Sequence, residues 1–482
     1  MSQVKIKKIL QWIVISTFSG VILLYLGLLL ALKLNSTKTS FSQEVQESVF
    51  AESKQPHQIK LIDSGITSLY ERLKLIEKAQ KSIELEFFIF NIDQTSRLVT
   101  QALINKAKEG VKIRLLVDFS APVFQLRPAY AALMKEAGID VRYYNTSSMY
   151  RFFTVQHRSH RKLLIIDGES VLTGGRNIAD DYFDLSNHYN FLDSDVFITG
   201  PIIKTILASF NLYWNSDWAK SADLLESETT GEEQKLALAY FKTSDEDAKT
   251  LEKINLIGRE QSQKLIASTC HDILFITDFP GAGESHRKIF PTLVKMMSEV
   301  KKEVLIESPY FVLRDEGREV FTKMNARHVD VKVLTNGLYS TDAYYVISAL
   351  SPRLQWIADS GLELYVYDGS ALKSGPDVSN SSRWGIHAKR AVIDQKTALI
   401  GTYNIDPRSA NLNSELMVAC KDNPDFANQV QKSIESRMQQ STKIIAEKKV
   451  INEEALFAKA SFKQKIMTWL AIPFTNYLDI LL

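Results

Sequence analysis

His160-Arg161-Lys162 opens a run that continues Leu163-Leu164-Ile165-Ile166-Asp167, and the chain later reads His387-Ala388-Lys389-Arg390-Ala391-Val392-Ile393-Asp394. Each copy is His-x-Lys, four residues, Asp. Beyond the Asp, a Gly opens Gly174-Gly175-Arg176-Asn177 in the first copy and Gly401-Thr402-Tyr403-Asn404 in the second. The offset is constant: 387 − 160 and 404 − 177 both give 227. A period this long means two homologous half-domains rather than a solenoid.

The spacing has a physical meaning. Leu163 to Ile166 reads as a short buried strand closed by the turn Asp167-Gly168. Alternate residues of a strand share a face, so His160 and Lys162 are expected to face one pocket, as are His387 and Lys389. The Gly-x-x-Asn segments end a second strand and bring Asn177 and Asn404 beside it. Two halves docked face to face then surround one centre with two His, two Lys and two Asn. Ammonium and amide donors suit the oxygens of a phosphate. One His attacks phosphorus while the other protonates the leaving oxygen. Asp167 and Asp394 complete the candidate set, but at the strand ends they suit holding the motif together better than chemistry.

Around these motifs the chain alternates helix and strand. A helix is expected over Ile66 to Ala79, a strand over Ser82 to Phe90, and a helix over Ser96 to Lys108. Strands are also expected at Val111 to Val117 and Val141 to Tyr144, with a short helix at Ala129 to Glu136 between them. The second half echoes the first: Glu303 to Glu307 repeats Ser82 to Glu86, and Val331 to Val333 repeats Val111 to Ile113. The fold class is α/β: two half-domains, each a mixed sheet flanked by helices, sharing one active site.

The chain of 482 residues is long enough for two full cores, and its 58 Lys plus Arg against 56 Asp plus Glu leave a net charge of only +2. A protein that tracks nucleic-acid backbones carries a clearer basic excess, so no nucleic-acid partner is expected. Cys270 and Cys420 lie in apolar, strand-like contexts and read by default as buried free thiols, with a disulfide between them left open by the sequence; their spacing gives no metal motif. Trp214 and Trp218 are read as packing residues.

Ile9 to Leu32 carries no charge and is long enough to cross a bilayer about 30 Å thick. Lys5, Lys7 and Lys8 precede it, which favours an uncleaved anchor with its N-terminus in the cytoplasm and the body outside it. The expected organisation is a cytoplasmic N-terminus over 1–8, a transmembrane anchor over 9–32 and a polar spacer over 33–56. The first half-domain follows over 57–220, a charged, solvated connector over 221–262 and the second half-domain over 263–445. The tail, 446–482, carries an aromatic amphipathic segment suited either to a membrane interface or to packing on the body.

The duplicated motifs resemble those of the phospholipase D superfamily, and the likeness extends to the bacterial cardiolipin synthases, above all those of type C. The stretches that carry it are Gly174 to Phe183, Ser308-Pro309-Tyr310-Phe311, Thr335-Asn336-Gly337-Leu338 and Asn404 to Ser409. The resemblance implies a covalent phosphohistidine, with His160 as nucleophile and His387 as acid, then base. Lys162, Lys389, Asn177 and Asn404 would hold the non-bridging oxygens, so no metal or other cofactor is required. A nucleophilic His needs its second ring nitrogen tethered. Glu415 matches the superfamily's partner position in the second half. Asp193, with Asp195 as the alternative, is its counterpart in the first and the expected partner of His160. Arg161 stands where the group often has Asn; it is expected to point away from the pocket with little effect. The implied substrates are phosphatidylglycerol and, as a possible donor, phosphatidylethanolamine, in a bacterial inner membrane. The alternatives are a phospholipase D that transfers to water and a membrane-anchored nuclease.

Overall fold

The structure, a computed structural model, describes residues 3–36, 51–120, 126–148, 151–224, 230–242, 244–370, 383–446, 450–475 and 479–481. Two large mixed sheets form its framework. In the first, of nine strands, the central order is Ile139–Tyr144, Lys112–Asp118, Ser82–Phe87, Leu163–Ile166, Ser170–Gly174, Asp195–Thr199 and His57–Ile62. The second, of ten strands, repeats it with Glu363–Tyr367, Asp330–Asn336, Glu303–Glu307, Lys389–Ile393, Thr397–Gly401, Leu416–Lys421 and Asp272–Thr277. In each, three strands run parallel, joined through helices, and the motif strand pairs antiparallel with the first of them. The repeat in sequence is thus a repeat in topology.

Both faces of each sheet are covered, so Leu163–Ile166 is a continuous apolar run and not an alternating one, and Lys389–Ile393, which opens Lys-Arg, is buried throughout. Leu163–Ile166 is buried at every position. The outer face of the first sheet packs on the Gly65–Lys78 and Gln94–Lys108 helices through Ile66, Leu69, Val99 and Leu103. Ser64 caps the first of these helices and an Asp93–Ser96 capping box starts the second, each satisfying amide groups the helix start leaves open. The inner faces of the two sheets share one core, with Ile59, Val171 and Ile198 from the first and Ile273, Phe275 and Val418 from the second. Trp214 is buried in that core and Trp218 packs against it.

The motif aspartates end their strands in the same way. Asp167 and Asp394 both adopt left-handed backbone, φ 55° and 50°, which Asp tolerates better than most residues. Asp167 accepts from the amides of Gln80, Lys81 and Ser82 at 2.6–3.2 Å. Asp394 accepts from those of Lys301, Lys302 and Glu303 at 2.7–3.3 Å. Each pins the entry of the neighbouring parallel strand, at the opposite end of the motif strand from its His.

The half-domain boundaries differ from those expected. Ala267–Cys270 pairs with His57–Ile62 and so belongs to the first sheet, while Ala51–Ser53, from the expected spacer, pairs with Asp272–Thr277 in the second. Each sheet is finished by a strand from outside its own half. The connector is also more than a solvated link. Its Asp245–Ser262 helix packs on the Gly65–Lys78 helix, close enough that a Cβ on Gly258 would lie 2.3 Å from Tyr70 Cβ, and Asp247 pairs with Arg97 at 2.6 Å. In the tail, Val450–Ile451 extends the second sheet. Phe462–Ala471 packs on the Tyr344–Leu350 helix, where Ser348 Oγ donates to the Thr468 carbonyl at 3.0 Å. Trp469 and Leu470 stay exposed.

Cys270 and Cys420 are not free thiols but a disulfide, with Cα atoms 5.9 Å apart. It joins an edge strand of the first sheet to a strand of the second, a link between segments 150 residues apart. Facing positions on two packed sheets cannot be read from one-dimensional spacing.

A helix runs from Gln3 to Ser36 and contains the apolar run expected to be an anchor. Among the described residues no helix is long and apolar enough to cross a membrane; many side chains of this helix, and all of 37–50 in the expected spacer, lie outside them. Of those described, Phe18, Leu23 and Leu24 are each about two-thirds exposed (67%, 69% and 66%). Tyr25 meets Phe152 edge-on at 5.3 Å.

The disulfide generates a stability prediction. Replacing both Cys270 and Cys420 by Ser, or reducing the native protein, is expected to cost about 2–4 kcal/mol, because the unfolded chain regains a long loop's freedom. Equilibrium denaturant unfolding with and without reductant measures this directly.

Candidate active site

The two His-x-Lys motifs meet at the junction of the sheets, and the chain segments there are crossed. Ser159 and Ser414 form a parallel bridge, and the His160 amide donates to the Ser414 carbonyl at 2.8 Å. On the other side Asn190–Leu192 pairs in parallel with Trp384–Ile386, and the His387 amide donates to the Leu192 carbonyl at 2.8 Å. Each motif His therefore lies beside the acid-bearing segment of the opposite half.

The carboxylates follow the backbone. His160 Nδ1 lies 2.9 Å and 3.0 Å from the two oxygens of Glu415. His387 Nδ1 lies 2.6 Å from Asp193 Oδ2. This corrects the expected pairing: the partner of His160 is neither Asp193 nor Asp195 but Glu415, and Asp193 serves His387. Asp195 is engaged elsewhere, with Arg72 at 2.8 Å, Arg176 at 3.1 Å and Ser68 Oγ at 2.5 Å. In each ring Nδ1 is the tethered nitrogen, which leaves Nε2 for chemistry.

Lys162 Nζ donates to the His160 carbonyl at 2.7 Å and Lys389 Nζ to the His387 carbonyl at 2.5 Å. Both lysines are buried. The strand proper begins only at Leu163 in the first half and at Lys389 in the second, so both histidines lie just before their strands. Asn177 accepts from the Ile89 amide at 3.0 Å and donates to Tyr182 Oη at 2.9 Å. Asn404 differs: its amide oxygen is buried without a hydrogen-bond partner among the described residues. An aromatic ring stands against each imidazole, Phe88 at 5.1 Å from His160 and Phe191 at 4.7 Å from His387.

The two histidine–acid pairs differ in charge. Burial drives the His160 imidazole well below its usual range, helped by the ammonium groups of Lys162 and Lys389. Burial pushes its partner Glu415 up to about 7, despite the opposing pull of Lys162 and hydrogen bonds from Thr402 and Ser409. His387 is pushed down to about 4, by burial and then Lys389. Burial alone would raise Asp193, but His387, Lys389 and Arg176 outweigh it and hold the group below the usual carboxylate range. Burial also pulls Lys389 down to about 8. The result is a near-neutral His160–Glu415 pair beside a firmly ionised Asp193.

Several residues escaped the sequence reading. Arg161 is not a neutral passenger: it is fully buried, pairs with Glu86 at 3.1 Å, and donates to Ser209 Oγ and to Thr277 Oγ1 of the second half. Arg390 does the same in the second copy, pairing with Glu307 at 2.5 Å, and Arg437 meets the other Glu307 oxygen at 2.6 Å. Thr402 Oγ1 and Ser409 Oγ donate to Glu415 at 2.5 Å and 2.9 Å. The repeated charged residue beside each motif strand, Glu86 and Glu307 within apolar runs, was the available signal.

Two half-domains with paired His-x-Lys motifs at a shared junction define a phospholipase D-like protein. A family model described as cardiolipin synthase, PLD-like domain, matches residues 73–214 and 293–438, and the chain belongs to that family. An uncharacterized protein of Helicobacter pylori strain J99 is 30% identical over 406 residues, 80% of each chain. Cardiolipin synthase C of Escherichia coli K12 is 28% identical over 393 residues, 76% of this chain and 82% of the relative. Cardiolipin synthase 1 of Bacillus cereus is 27% identical over 444 residues, 92% of this chain and 77% of the relative. The solved phosphatidylserine synthase of Haemophilus influenzae shares the fold, with a TM-score of 0.63 and 16% identity, covering 88% of this chain and 95% of that one.

The crossed pairs yield a separable test. Glu415→Gln is expected to shift the ring-nitrogen resonances of His160 and leave those of His387 in place, and Asp193→Asn to do the reverse; nitrogen NMR of labelled protein reads both. Glu415 also couples stability to pH. Its folded pKa, about 7, lies above the ordinary 4.5, so the folded state binds the proton more tightly. That contribution is complete below about pH 4.5 and is lost as pH rises through about 7. Glu415→Gln, which cannot ionise, should flatten the fall in melting temperature across this window.

Proposed function

We propose that this protein is a membrane-anchored phosphatidyltransferase, a cardiolipin synthase that works through a phosphohistidine. The observation that carries the reading is the crossed tethering of the two imidazoles: each Nδ1 is held by a carboxylate of the opposite half, which leaves both Nε2 atoms available for chemistry. His160 Nε2 attacks phosphorus of the donor phospholipid, and the bond from phosphorus to the headgroup oxygen breaks. His387 gives its Nε2 proton to that leaving oxygen. The acceptor, the glycerol hydroxyl of phosphatidylglycerol, then loses its proton to His387 and attacks phosphorus. The phosphorus–nitrogen bond breaks, releasing cardiolipin and free His160.

The charge asymmetry supports this assignment of roles. A nucleophile must be neutral, and burial holds His160 well below its usual range beside a Glu415 that burial itself pushes up to about 7. An acid must hold a proton, and while burial and Lys389 push His387 down to about 4, the ionised Asp193 on its Nδ1 opposes that shift and stabilises the imidazolium. Lys162 and Lys389 supply charge, and the Nδ2 group of Asn404 a donor, to the non-bridging oxygens. Asn177 keeps its amide in place through Tyr182. No step in this scheme calls on a metal or other cofactor.

In this reading the uncharged stretch 9–32 of the sequence serves as an anchor and brings the site to a bilayer surface. The Lys5, Lys7 and Lys8 cluster favours an N-terminus inside, and the Cys270–Cys420 disulfide suits a body outside the cytoplasm. Phospholipid is then the substrate within reach, with phosphatidylethanolamine or a second phosphatidylglycerol as donor.

The test uses purified full-length protein in mixed micelles with labelled phosphatidylglycerol, with and without phosphatidylethanolamine. Cardiolipin is expected from the native protein, and its dependence on phosphatidylethanolamine names the donor. His160→Ala is expected to lower turnover by ~10³-fold or more. Phosphatidic acid as the sole product would make the protein a hydrolase, and no lipid product from any mixture would overturn the lipid reading.

A further inference from the structure

Beside the two histidines lies an acid that the transfer scheme leaves unused. Asp342 is exposed, and both its oxygens accept from Tyr310 Oη at 3.0 Å. Among the described residues no Lys, Arg or His pairs with it.

Two segments of the site hold this pair in place. Phe311, next to Tyr310, bridges Ile405, the neighbour of Asn404, and the Val312 amide donates to the Ile405 carbonyl at 2.8 Å. Arg383 opens the segment that leads to His387, and it donates to the carbonyls of Tyr339 at 2.7 Å and Thr341 at 2.6 Å. Tyr189 Oη donates to the Ser340 carbonyl at 2.7 Å, and its ring meets Phe191, which stands against His387, edge-on at 4.8 Å.

The charge of Asp342 reaches the site itself. Burial pulls Lys389 down to about 8, and Asp342 is one of the carboxylates that oppose this. Burial raises the Tyr182 phenol, and Asp342 adds to the rise. The Tyr182 ring stands edge-on to His387 at 5.0 Å, and its hydroxyl accepts from Asn177 at 2.9 Å. Asp342 therefore lies at the His387 end of the site.

The arrangement belongs to one half only. Phe90 bridges Ile178 as Phe311 bridges Ile405, so Tyr310 stands where the first half has Ile89, which offers no hydroxyl. In the transfer scheme the His387 end is the leaving group's end. Running outward, the order of charge is the Lys162 and Lys389 ammonium groups, then the Asp342 carboxylate. A zwitterionic lipid carries the complementary order, an anionic phosphodiester and then an ammonium group. An ammonium has donors and no acceptor, which suits a carboxylate. The partly exposed Tyr345 ring, close enough for Asp342 to act on its phenol, adds an aromatic face of the kind that attracts cations. An uncharged headgroup leaves the carboxylate without a counter-ion, and an anionic one is repelled.

We propose that Asp342, held by Tyr310, recognises the ammonium of the donor lipid's headgroup, so that the donor is an amine-bearing zwitterionic phospholipid of the phosphatidylethanolamine kind. The assignment rests on the phosphatidyl-transfer reading and adds the class of donor, which that reading leaves open. Asp342 sets specificity: it holds the far end of the headgroup while the ester oxygen faces His387.

The test gives full-length protein, in micelles with phosphatidylglycerol as acceptor, one of two donors. One is phosphatidylethanolamine. The other is phosphatidyl ethylene glycol, in which a hydroxyl replaces the ammonium at nearly the same size. Native protein is expected to release ethanolamine at least ~10-fold faster than ethylene glycol, as the loss of one charge-assisted hydrogen bond implies. In Asp342→Asn, which keeps the shape and loses the charge, that preference should vanish. Equal release from both donors by native protein overturns the proposal, whether or not the variant folds. A folded Asp342→Asn that keeps the full preference also overturns it. Cardiolipin made from phosphatidylglycerol alone, with neither donor headgroup released, overturns the proposal and leaves the transfer reading standing. No lipid product from any mixture would instead show that the transfer reading itself had failed, and the proposal with it.

Discussion

The contact on which the rest depends is the hydrogen bond from each motif imidazole to a carboxylate of the opposite half. A buried imidazole and a buried carboxylate are both costly alone, and each relieves the other only at hydrogen-bond distance. Neither pair exists within one half-domain. His160 finds Glu415, and His387 finds Asp193, only when the sheets dock and the segments beside them pair in parallel. The site is therefore assembled by the interface, and the same interface holds the shared apolar core and the disulfide.

A second set of charges fixes the motif strands behind the site. Arg161 with Glu86, and Arg390 with Glu307 and Arg437, lie fully buried under the two strands. Removing one partner of such a pair strands a charge in the interior, at a cost of about 3–5 kcal/mol. The fold thus tolerates these ions only in their present register, which keeps His and Lys aimed at the junction. The motif aspartates act at the other end of the same strands, each gathering three consecutive amides.

Duplication gives the two halves one plan, and their departures from it divide the labour. Asp193 stays ionised beside His387, while burial pushes Glu415, held by the hydroxyls of Thr402 and Ser409, up to about 7. Asn177 is fully engaged and Asn404 is not. One outer helix pair is covered by the connector, and among the described residues no helix crosses the other. Two equal halves could not provide two histidine–acid pairs of different charge.

The repeat, the strand–helix alternation, the apolar motif strands and the His, Lys and Asn set were all legible in the sequence. Each rests on local periodicity or on short spacing, which a linear chain displays. The helix and strand positions around Ile66, Ser82 and Ser96 followed from the same signal. What only the tertiary structure decided is the partnership between segments far apart: Glu415 with His160, Asp193 with His387, Cys270 with Cys420, the exchanged edge strands, and the burial of Arg161. Linear order suggested that each half serves its own histidine. Docking in three dimensions reverses that, because the strand carrying each acid pairs its backbone with the segment that leads into the other half's His.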